Sequence, residues 1–298
     1  MKKILLPLAI GCGIAAAASA KGVLNIHNAN ELIAFMNDVA TEGKYAGSTV
    51  YLENDIEFTW EQSRQFRPIG EDYAHNFVGT FDGRGHSISN LTMDPTLNYG
   101  GLFGYSRGIT IRNVVIGKDC RVLDTAAYSS SNYYLGSVLG RCDGEAAGCV
   151  VEGCVNMMDI VFNGDVDHAT GMYIKVFMGG IVGGMAAYPY EAVVRGCVNY
   201  GAVMRSVEYH SDGLYMGGII GGDNYANGPI GSVENCVNNG AVVFNGVVPG
   251  RDSFSVGGIS GREKLYKARN CTNIGVVSGA SSVRVWGLLG LLFVVLMM

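Results

Sequence analysis

Proline is scarce in this chain, six in 298 residues, and charged side chains make up only 16% of it. Few prolines beside 44 glycines that keep no three-residue period exclude a collagen-like rod, and a hydrophobic share of 48% excludes a disordered chain. Lysine and arginine form no stripe. The net charge of −5 becomes −7, 19 Lys+Arg against 26 Asp+Glu, once Lys2 and Lys3 leave with a leader. That balance lacks the electrostatic footprint of a nucleic-acid-binding domain. Helical spacing is missing from the body of the chain, and the apolar run at its C-terminal end is fourteen residues, Val285 to Met298. A spanning helix needs about 20.

What is there instead is a repeated phrase. A Gly-rich apolar step occurs five times, at Gly100-Gly101-Leu102-Phe103-Gly104, Gly136-Ser137-Val138-Leu139-Gly140, Gly179-Gly180-Ile181-Val182-Gly183, Gly217-Gly218-Ile219-Ile220-Gly221 and Gly257-Gly258-Ile259-Ser260-Gly261, at spacings of 36 to 43 residues. Such a period marks an array of stacked units, none of which buries its apolar side alone. A second step follows each of the later copies: Cys154-Val155-Asn156, Cys197-Val198-Asn199, Cys236-Val237-Asn238 and Cys271-Thr272-Asn273. The earlier Ile111-Arg112-Asn113-Val114 carries Val in place of Cys, so the position asks for a small buried apolar group rather than for a thiol.

Short β-branched runs with alternation, bounded by Gly and Asn, are strands. Three copies continue as Asn199-Tyr200-Gly201, Asn238-Asn239-Gly240 and Asn273-Ile274-Gly275. Asn tolerates the left-handed conformation and Gly adopts it freely, so this pair is expected to turn the chain. The predicted fold is all-β, a right-handed parallel β-helix over residues 47–277 with one coil per repeat. Cys154, Cys197, Cys236 and Cys271 stack in one ladder, and Asn156, Asn199, Asn238 and Asn273 in another. Excess length bulges out as loops, such as Met185 to Glu191, Asp223 to Gly231 and Glu263 to Lys267. Residues 21–46 read as an N-terminal cap: Asn28 or Asn30 begins a short amphipathic helix carrying Leu32, Ile33, Phe35, Met36 and Val39, with Glu31 in its first turn.

Both ends carry addresses. Residues 1–20 have a positive start, an apolar stretch from Ile4 to Ala18 and the Ala18-Ser19-Ala20 cleavage pattern of a signal peptide. Residues 278–298 combine the small cluster Ser278-Gly279-Ala280-Ser281-Ser282 with the apolar tail, the pattern of a glycolipid (GPI) attachment signal with Ser278 as acceptor, although the spacer is shorter than usual. Two other readings stay open for the tail, a retained anchoring segment in the membrane and a last strand that closes the solenoid. After loss of Cys12 seven cysteines remain in an exported chain, so at least one is unpaired or pairs between chains. Cys142 and Cys149, flanking Asp143-Gly144-Glu145, are the expected disulfide; the ladder cysteines are expected to stay thiols because parallel inward side chains do not give the torsion a bridge needs. Cys120 is left over. Asn90-Leu91-Thr92 and Asn270-Cys271-Thr272 are glycosylation sequons.

The run Phe77-Val78-Gly79-Thr80-Phe81-Asp82-Gly83-Arg84-Gly85-His86-Ser87-Ile88-Ser89-Asn90-Leu91, followed by the first Gly-rich step and by Ile111-Arg112-Asn113-Val114, resembles the GLUG-repeat surface proteins across about Val50 to Val277. The resemblance implies a parallel β-helix displayed at a cell surface, adhesin-like, with no catalytic residues contributed by the family. Asp82 to His86 reads as a tight turn, since glycosidic hydrolysis needs two placed carboxylates and no acidic pair accompanies it. His27, His75, His168 and His210 have no paired metal spacing, Asp165-Val166-Asp167-His168 and Asp223-Asn224 lack the ligand density of a calcium loop, and no cofactor is implied. The expected function is non-catalytic adhesion or binding of a carbohydrate or protein ligand by a loop side rich in Tyr188, Tyr190, Tyr209, Tyr215 and Tyr225, with the membrane reached through the C-terminal anchor. The alternative is a polysaccharide lyase or hydrolase on the same fold.

Overall fold

The computed structural model describes residues 22–42, 44–94, 98–123, 132–163, 174–186, 190–206, 213–222, 231–246, 254–262, 266–279 and 284–286. Its strands are two to five residues long, and every pairing between them is parallel. One coil runs through Tyr133–Leu135, Leu139–Cys142, Cys149–Glu152, Val155–Asn156 and Ile160–Val161. The next coil repeats each of them 43 residues later. Stacked in this way, the coils make an all-β, β-helix-like body with an eight-stranded first sheet (Val23–Ile26 to Tyr266–Arg269) and a seven-stranded second sheet (Ile56–Glu57 to Thr272–Asn273). A six-stranded third sheet runs from Tyr99–Gly100 to Arg284–Trp286. The fourth sheet has three strands, Phe103–Ser106, Leu139–Cys142 and Val182–Met185, and the fifth has four, from Ile160–Val161 to Val277–Ser278. Thr92–Met93 pairs with Arg121–Val122 in an early two-stranded sheet.

Alternation puts one face of each strand inside. Phe81, Ile111, Val151, Val194 and Val233 form one fully buried column, and Leu102, Val138, Ile181, Ile219 and Ile259 occupy the apolar position of the five Gly-rich steps in the same core. Burying one such side chain stabilises by about 1.5–3 kcal/mol, so the summed columns outweigh any single polar contact.

The turn between the first and second sheets is made by one left-handed residue, Asn113, Gly153, Gly196, Asn235 or Asn270, with φ of 54, 61, 61, 53 and 52°. This corrects the turn expected at Asn199, Asn238 and Asn273. Those asparagines are strand residues whose side chains point inward, and the left-handed residue stands just before the cysteine. The glycine two positions on serves contact instead: a Cβ on Gly240 would lie 1.8 Å from the carbonyl oxygen of Gly201 one coil below.

Helix α1 spans Ala29–Glu42 and starts where Asn28 Oδ1 accepts from the Glu31 N–H at 3.1 Å. Its Leu32, Phe35, Met36 and Val39 are buried, and the Phe35 ring meets Phe77 edge-on at 5.3 Å.

Candidate functional site

On the third sheet, strand neighbours Val176 and Met178 enter the core, so Phe177 between them faces outward. Register then places Tyr99, Tyr134, Phe177 and Tyr215 above one another. Their rings stack with centroids 6.0, 4.7 and 5.0 Å apart and planes within 20, 5 and 10° of parallel. Glycine on the neighbouring fourth sheet makes room for them, since a Cβ on Gly184 would come within 2.7 Å of the Tyr134 ring. Guanidinium groups lie over the column, Arg141 at 4.8 Å from the Tyr134 ring and Arg262 at 5.2 Å from Tyr215. Tyr134 and Phe177 are thereby buried. The stack is a seam between two sheets rather than an open platform.

The open part lies at its lower end. Tyr105 is 5.2 Å from Tyr99 and 6.2 Å from Tyr73, and its hydroxyl donates to Asp143, whose other oxygen pairs with Arg141 Nη2 at 2.8 Å. Burial, then the Asp143 carboxylate, pushes the Tyr105 phenol far above the ordinary tyrosine value. Tyr73 is 54% exposed. Arg107 covers one side of its ring at 4.3 Å and reaches Glu145 at 3.4 Å, and the hydrogen bond that Tyr73 donates to Glu145 raises its phenol. A disulfide joins Cys142 to Cys149, Cα atoms 6.2 Å apart, and holds the segment carrying Asp143 and Glu145 against these rings. An exposed aromatic ring backed by a cation and rimmed by Glu145 suits a ligand with an apolar ring face and hydroxyls at its edge, a sugar above all.

The first sheet carries on its outside a column of alternating charge: Asp82, Arg112, Glu152, Arg195, Glu234 and Arg269 in successive register positions. Arg112 Nε meets Asp82 Oδ2 at 2.8 Å and Arg195 Nε meets Glu152 Oε2 at 2.7 Å. This column is absent from the expectations above, although aligning the repeats on Ile111, Val151, Val194, Val233 and Ala268 shows R, E, R, E, R in the next position. Asp82 also accepts from the Arg84 N–H at 2.9 Å and from Asn113 Nδ2 at 3.1 Å. Burial pushes its carboxyl up, but these hydrogen bonds and the Arg112 charge outweigh that and hold it below the ordinary carboxylate range. Arg84 turns away to Glu53 and lies 3.9 Å over the Tyr51 ring, while His86 sits 3.5 Å from Asp55. Asp82 to His86 is therefore spent on tying adjacent coils together.

The two ladders sit in and beside the corner that follows the first sheet. Cys154, Cys197 and Cys236 are fully buried, Cys271 partly, and all four thiols are free and donate to strand carbonyls, as Cys197 does to Arg195 O at 3.4 Å. Sulfur contacts with Cys154 and Cys236, and then burial, hold the Cys197 thiol well above its ordinary value. Cys120 is a free buried thiol whose pKa burial pushes up to about 11. Asn156 Nδ2 donates to Asn199 Oδ1 at 2.8 Å, Asn199 to Asn238 at 2.7 Å and Asn238 to Asn273 at 2.7 Å. The second hydrogen of each amide goes to the carbonyl two residues on, at Met158, Gly201, Gly240 and Gly275.

Among the tyrosines expected on a loop side, Tyr215 belongs to the strand Gly213–Gly217 inside the stack, a correction that follows from ring packing, and Tyr190 is 48% exposed. Tyr188, Tyr209, Tyr225, His168, His210, Asp165 to Asp167, Asp223 and Asn224 lie outside the described residues. His27 and His75 pair with Glu31 and Asp72 at 3.1 and 3.0 Å. Among the described residues no group of three metal-ligating side chains converges. Both sequon asparagines, Asn90 and Asn270, are exposed, and Asn90 Nδ2 donates to Glu57. Ser278 stands in the strand Val277–Ser278, paired with Val243, and residues 1–20 and 287–298 are outside the described residues. Among the described residues no helix is long and apolar enough to cross a membrane.

No protein-family model matches the chain, and no curated protein does. One solved structure, described as "a putative immunoglobulin A1 protease from Bacteroides ovatus", is similar, with a TM-score of 0.53 and 17% identity over 88% of this chain and 82% of that one. At that identity the likeness is one of fold.

Proposed function

We propose that this is an exported surface protein of the GLUG-repeat kind that binds a carbohydrate or protein ligand and catalyses nothing. The reading rests on one observation, the half-exposed Tyr73 ring held between Tyr105 and Arg107 with Glu145 at its rim. In this reading the β-helix is right-handed, α1 closes its N-terminal end, and Asn90 and Asn270 are glycosylated where the secretory route allows it. A fold shared with a protein described as a protease carries no activity with it. Asp82, the acid nearest to a hydrolytic motif, supports binding rather than catalysis, because hydrogen bonds occupy both its oxygens.

A glycan array probed with the secreted protein, run beside a uronate-release assay on acidic polysaccharides, tests the reading. Binding that falls at least about tenfold in Tyr73→Ala, with unchanged thermal unfolding, is expected; a tenfold loss is the 1.4 kcal/mol that one exposed stacking contact can carry. Release of unsaturated uronate, or binding that is indifferent to Tyr73, would overturn it.

A further inference from the structure

Features that recur in every coil of a solenoid serve stacking, and a feature that occurs once is released from that duty. Trp60 is such a feature. It is one of two tryptophans in the chain, it opens the short helix α2, Trp60–Ser63, and it is 60% exposed. Two guanidinium groups come to its ring, Arg64 at 5.8 Å and Arg121 at 6.0 Å from the centroid, both on exposed residues.

Hydrogen bonds hold the three side chains together from separate parts of the fold. Thr59 and Gln62 cap α2 reciprocally, the Gln62 N–H donating to Thr59 Oγ1 at 3.2 Å and the Thr59 N–H to Gln62 Oε1 at 2.9 Å. Gln62 Nε2 also donates to Asn30 Oδ1 on α1 at 2.7 Å, which anchors one side of α2. On the other side the Thr92 N–H donates to Ser63 Oγ at 2.8 Å, so α2 is tied to the two-stranded sheet in which Arg121 stands opposite Thr92. Arg121 Nε donates to Thr92 Oγ1 at 3.2 Å, which orients the guanidinium and leaves its two terminal nitrogens for a further partner. Arg64, four residues after Trp60, lies on the same side of the helix.

Elsewhere arginine meets an acid: Arg67 reaches Glu71, Arg84 Glu53, and Arg112 Asp82. Among the described residues Arg64 and Arg121 meet none. Glu61 and Asp119, the acids closest to them in sequence, pair with neither, and the Trp60 indole N–H has no partner there. Every polar group that Trp60, Arg64 and Arg121 offer is therefore a donor. A neutral sugar stacked on this ring would find no acceptor for its own hydroxyl hydrogens, whereas an anion is all acceptor and gains charge-assisted hydrogen bonds from both guanidinium groups. The Tyr73 ring differs on this point, because Arg107 is paired there and Glu145 can accept.

We infer that Trp60, Arg64 and Arg121 form a second binding site, for an anionic sugar whose ring lies on the indole and whose carboxylate or sulfate takes the two guanidinium groups. The Tyr73 ring is left to neutral sugars.

Titration calorimetry of the secreted full chain tests this with oligogalacturonate, sialyllactose and a sulfated galacto-oligosaccharide, each beside its uncharged counterpart, the methyl ester or the unsulfated sugar. At least one anion is expected to bind about tenfold or more tighter than its counterpart, with an affinity that falls as salt rises. Which anion binds tells carboxylate from sulfate recognition. Arg64→Gln combined with Arg121→Gln is expected to lower that affinity about tenfold or more and to bring anion and counterpart level, and Trp60→Ala to weaken both. Thermal unfolding stays unchanged in these variants, since all three side chains are exposed. Tyr73→Ala leaves the anion bound as before, so this site and the Tyr73 site stand or fall separately. Binding of none of the three anions, equal affinity for anion and counterpart, or an affinity that the double variant retains would overturn the inference.

Discussion

One column of the second sheet changes chemistry halfway along the molecule. In the early coils it is Ile56, Ile88 and Ile116, and in the later ones it is Asn156, Asn199, Asn238 and Asn273, all stacked in register. Below the switch the core is aliphatic and aromatic, with Phe35, Phe77, Phe81 and Phe103 in mutual contact. Above it cysteine and methionine join valine, isoleucine and leucine, and the rings of Tyr133, Phe162, Phe244 and Phe254 are buried with them. The difference teaches how each half resists slipping. An isoleucine column is held by area and accepts an apolar neighbour of another shape, whereas an amide column is satisfied only when every asparagine meets the next one, so it fixes the stacking of coils. Asn156 shows the boundary: its Oδ1 accepts from the Met158 N–H at 3.1 Å, because the coil below offers Ile116 and no amide.

Breaking the amide column has the largest expected effect. Asn199→Ala removes three hydrogen bonds and leaves buried partners on Asn156, Asn238 and Gly201, a loss of about 3–5 kcal/mol read by denaturant unfolding. Ile88→Asn should cost as much, since both neighbours in its column are isoleucine. Ile116→Asn sharpens the comparison, because its amide meets Asn156 and lengthens the ladder by one; a cost of about 1–2 kcal/mol, clearly below that of Ile88→Asn, is expected. Equal costs for the two would mean that the column is held by area alone. The thiol column obeys a different rule. Cys197→Val should fold, Val114 already occupying the position before Cys154 (Asn113 and Gly153 being the left-handed residues that precede them), whereas Cys197→Asp leaves an unpaired carboxylate in the stack and should yield no soluble folded protein.

Much of this organisation could be read from the sequence, and the reason is periodicity. A repeat writes each column several times, so a single misjudged residue does not hide it: Cys154 to Cys271 and Asn156 to Asn273 align by spacing alone. What spacing does not give is backbone conformation within the repeat. Asn199-Tyr200-Gly201 has the composition of a left-handed turn, yet burial of the amide against its neighbours outweighs that local preference, and the left-handed residue is Gly196 instead. The aromatic seam was hidden for a related reason. Tyr134, Phe177 and Tyr215 each stand two residues before the first glycine of their Gly-rich step and Tyr99 one residue before its own, but tyrosine close to glycine reads equally well as a loop. Tyr73, which carries the proposed binding site, precedes the first repeat and has no copies to reveal it.

The charge column on the first sheet offers a milder break. Arg195→Glu would set three acids in succession, Glu152, the new glutamate and Glu234, on half-exposed positions. Surface pairs contribute little, so a loss of about 1 kcal/mol that grows at low salt is expected. Raising the ionic strength should restore most of the lost stability by screening the repulsion. No restoration would show that the loss does not come from the charges.

The smallest effect is expected from acid, and it should fall on the early coils. Glu31, Asp55, Asp72 and Asp82, whose carboxyls are held below their ordinary values, all lie before residue 83. A group with a depressed native pKa contributes stability that is complete above its unfolded value and is lost as pH falls through the native one. For Asp82 that window opens below pH 3.8, the ordinary aspartate value. The asparagine column of the later coils carries no titratable group. Thermal unfolding followed from pH 5 downward should therefore show a decline that Asp82→Asn reduces, since the variant has already lost the contribution, and exchange at low pH should accelerate first at Thr80–Asp82 and Thr110–Arg112 relative to a peptide-exchange reference. Earlier acceleration at Val198–Asn199 or Val237–Asn238 would contradict this and place the acid-sensitive tie among the later coils.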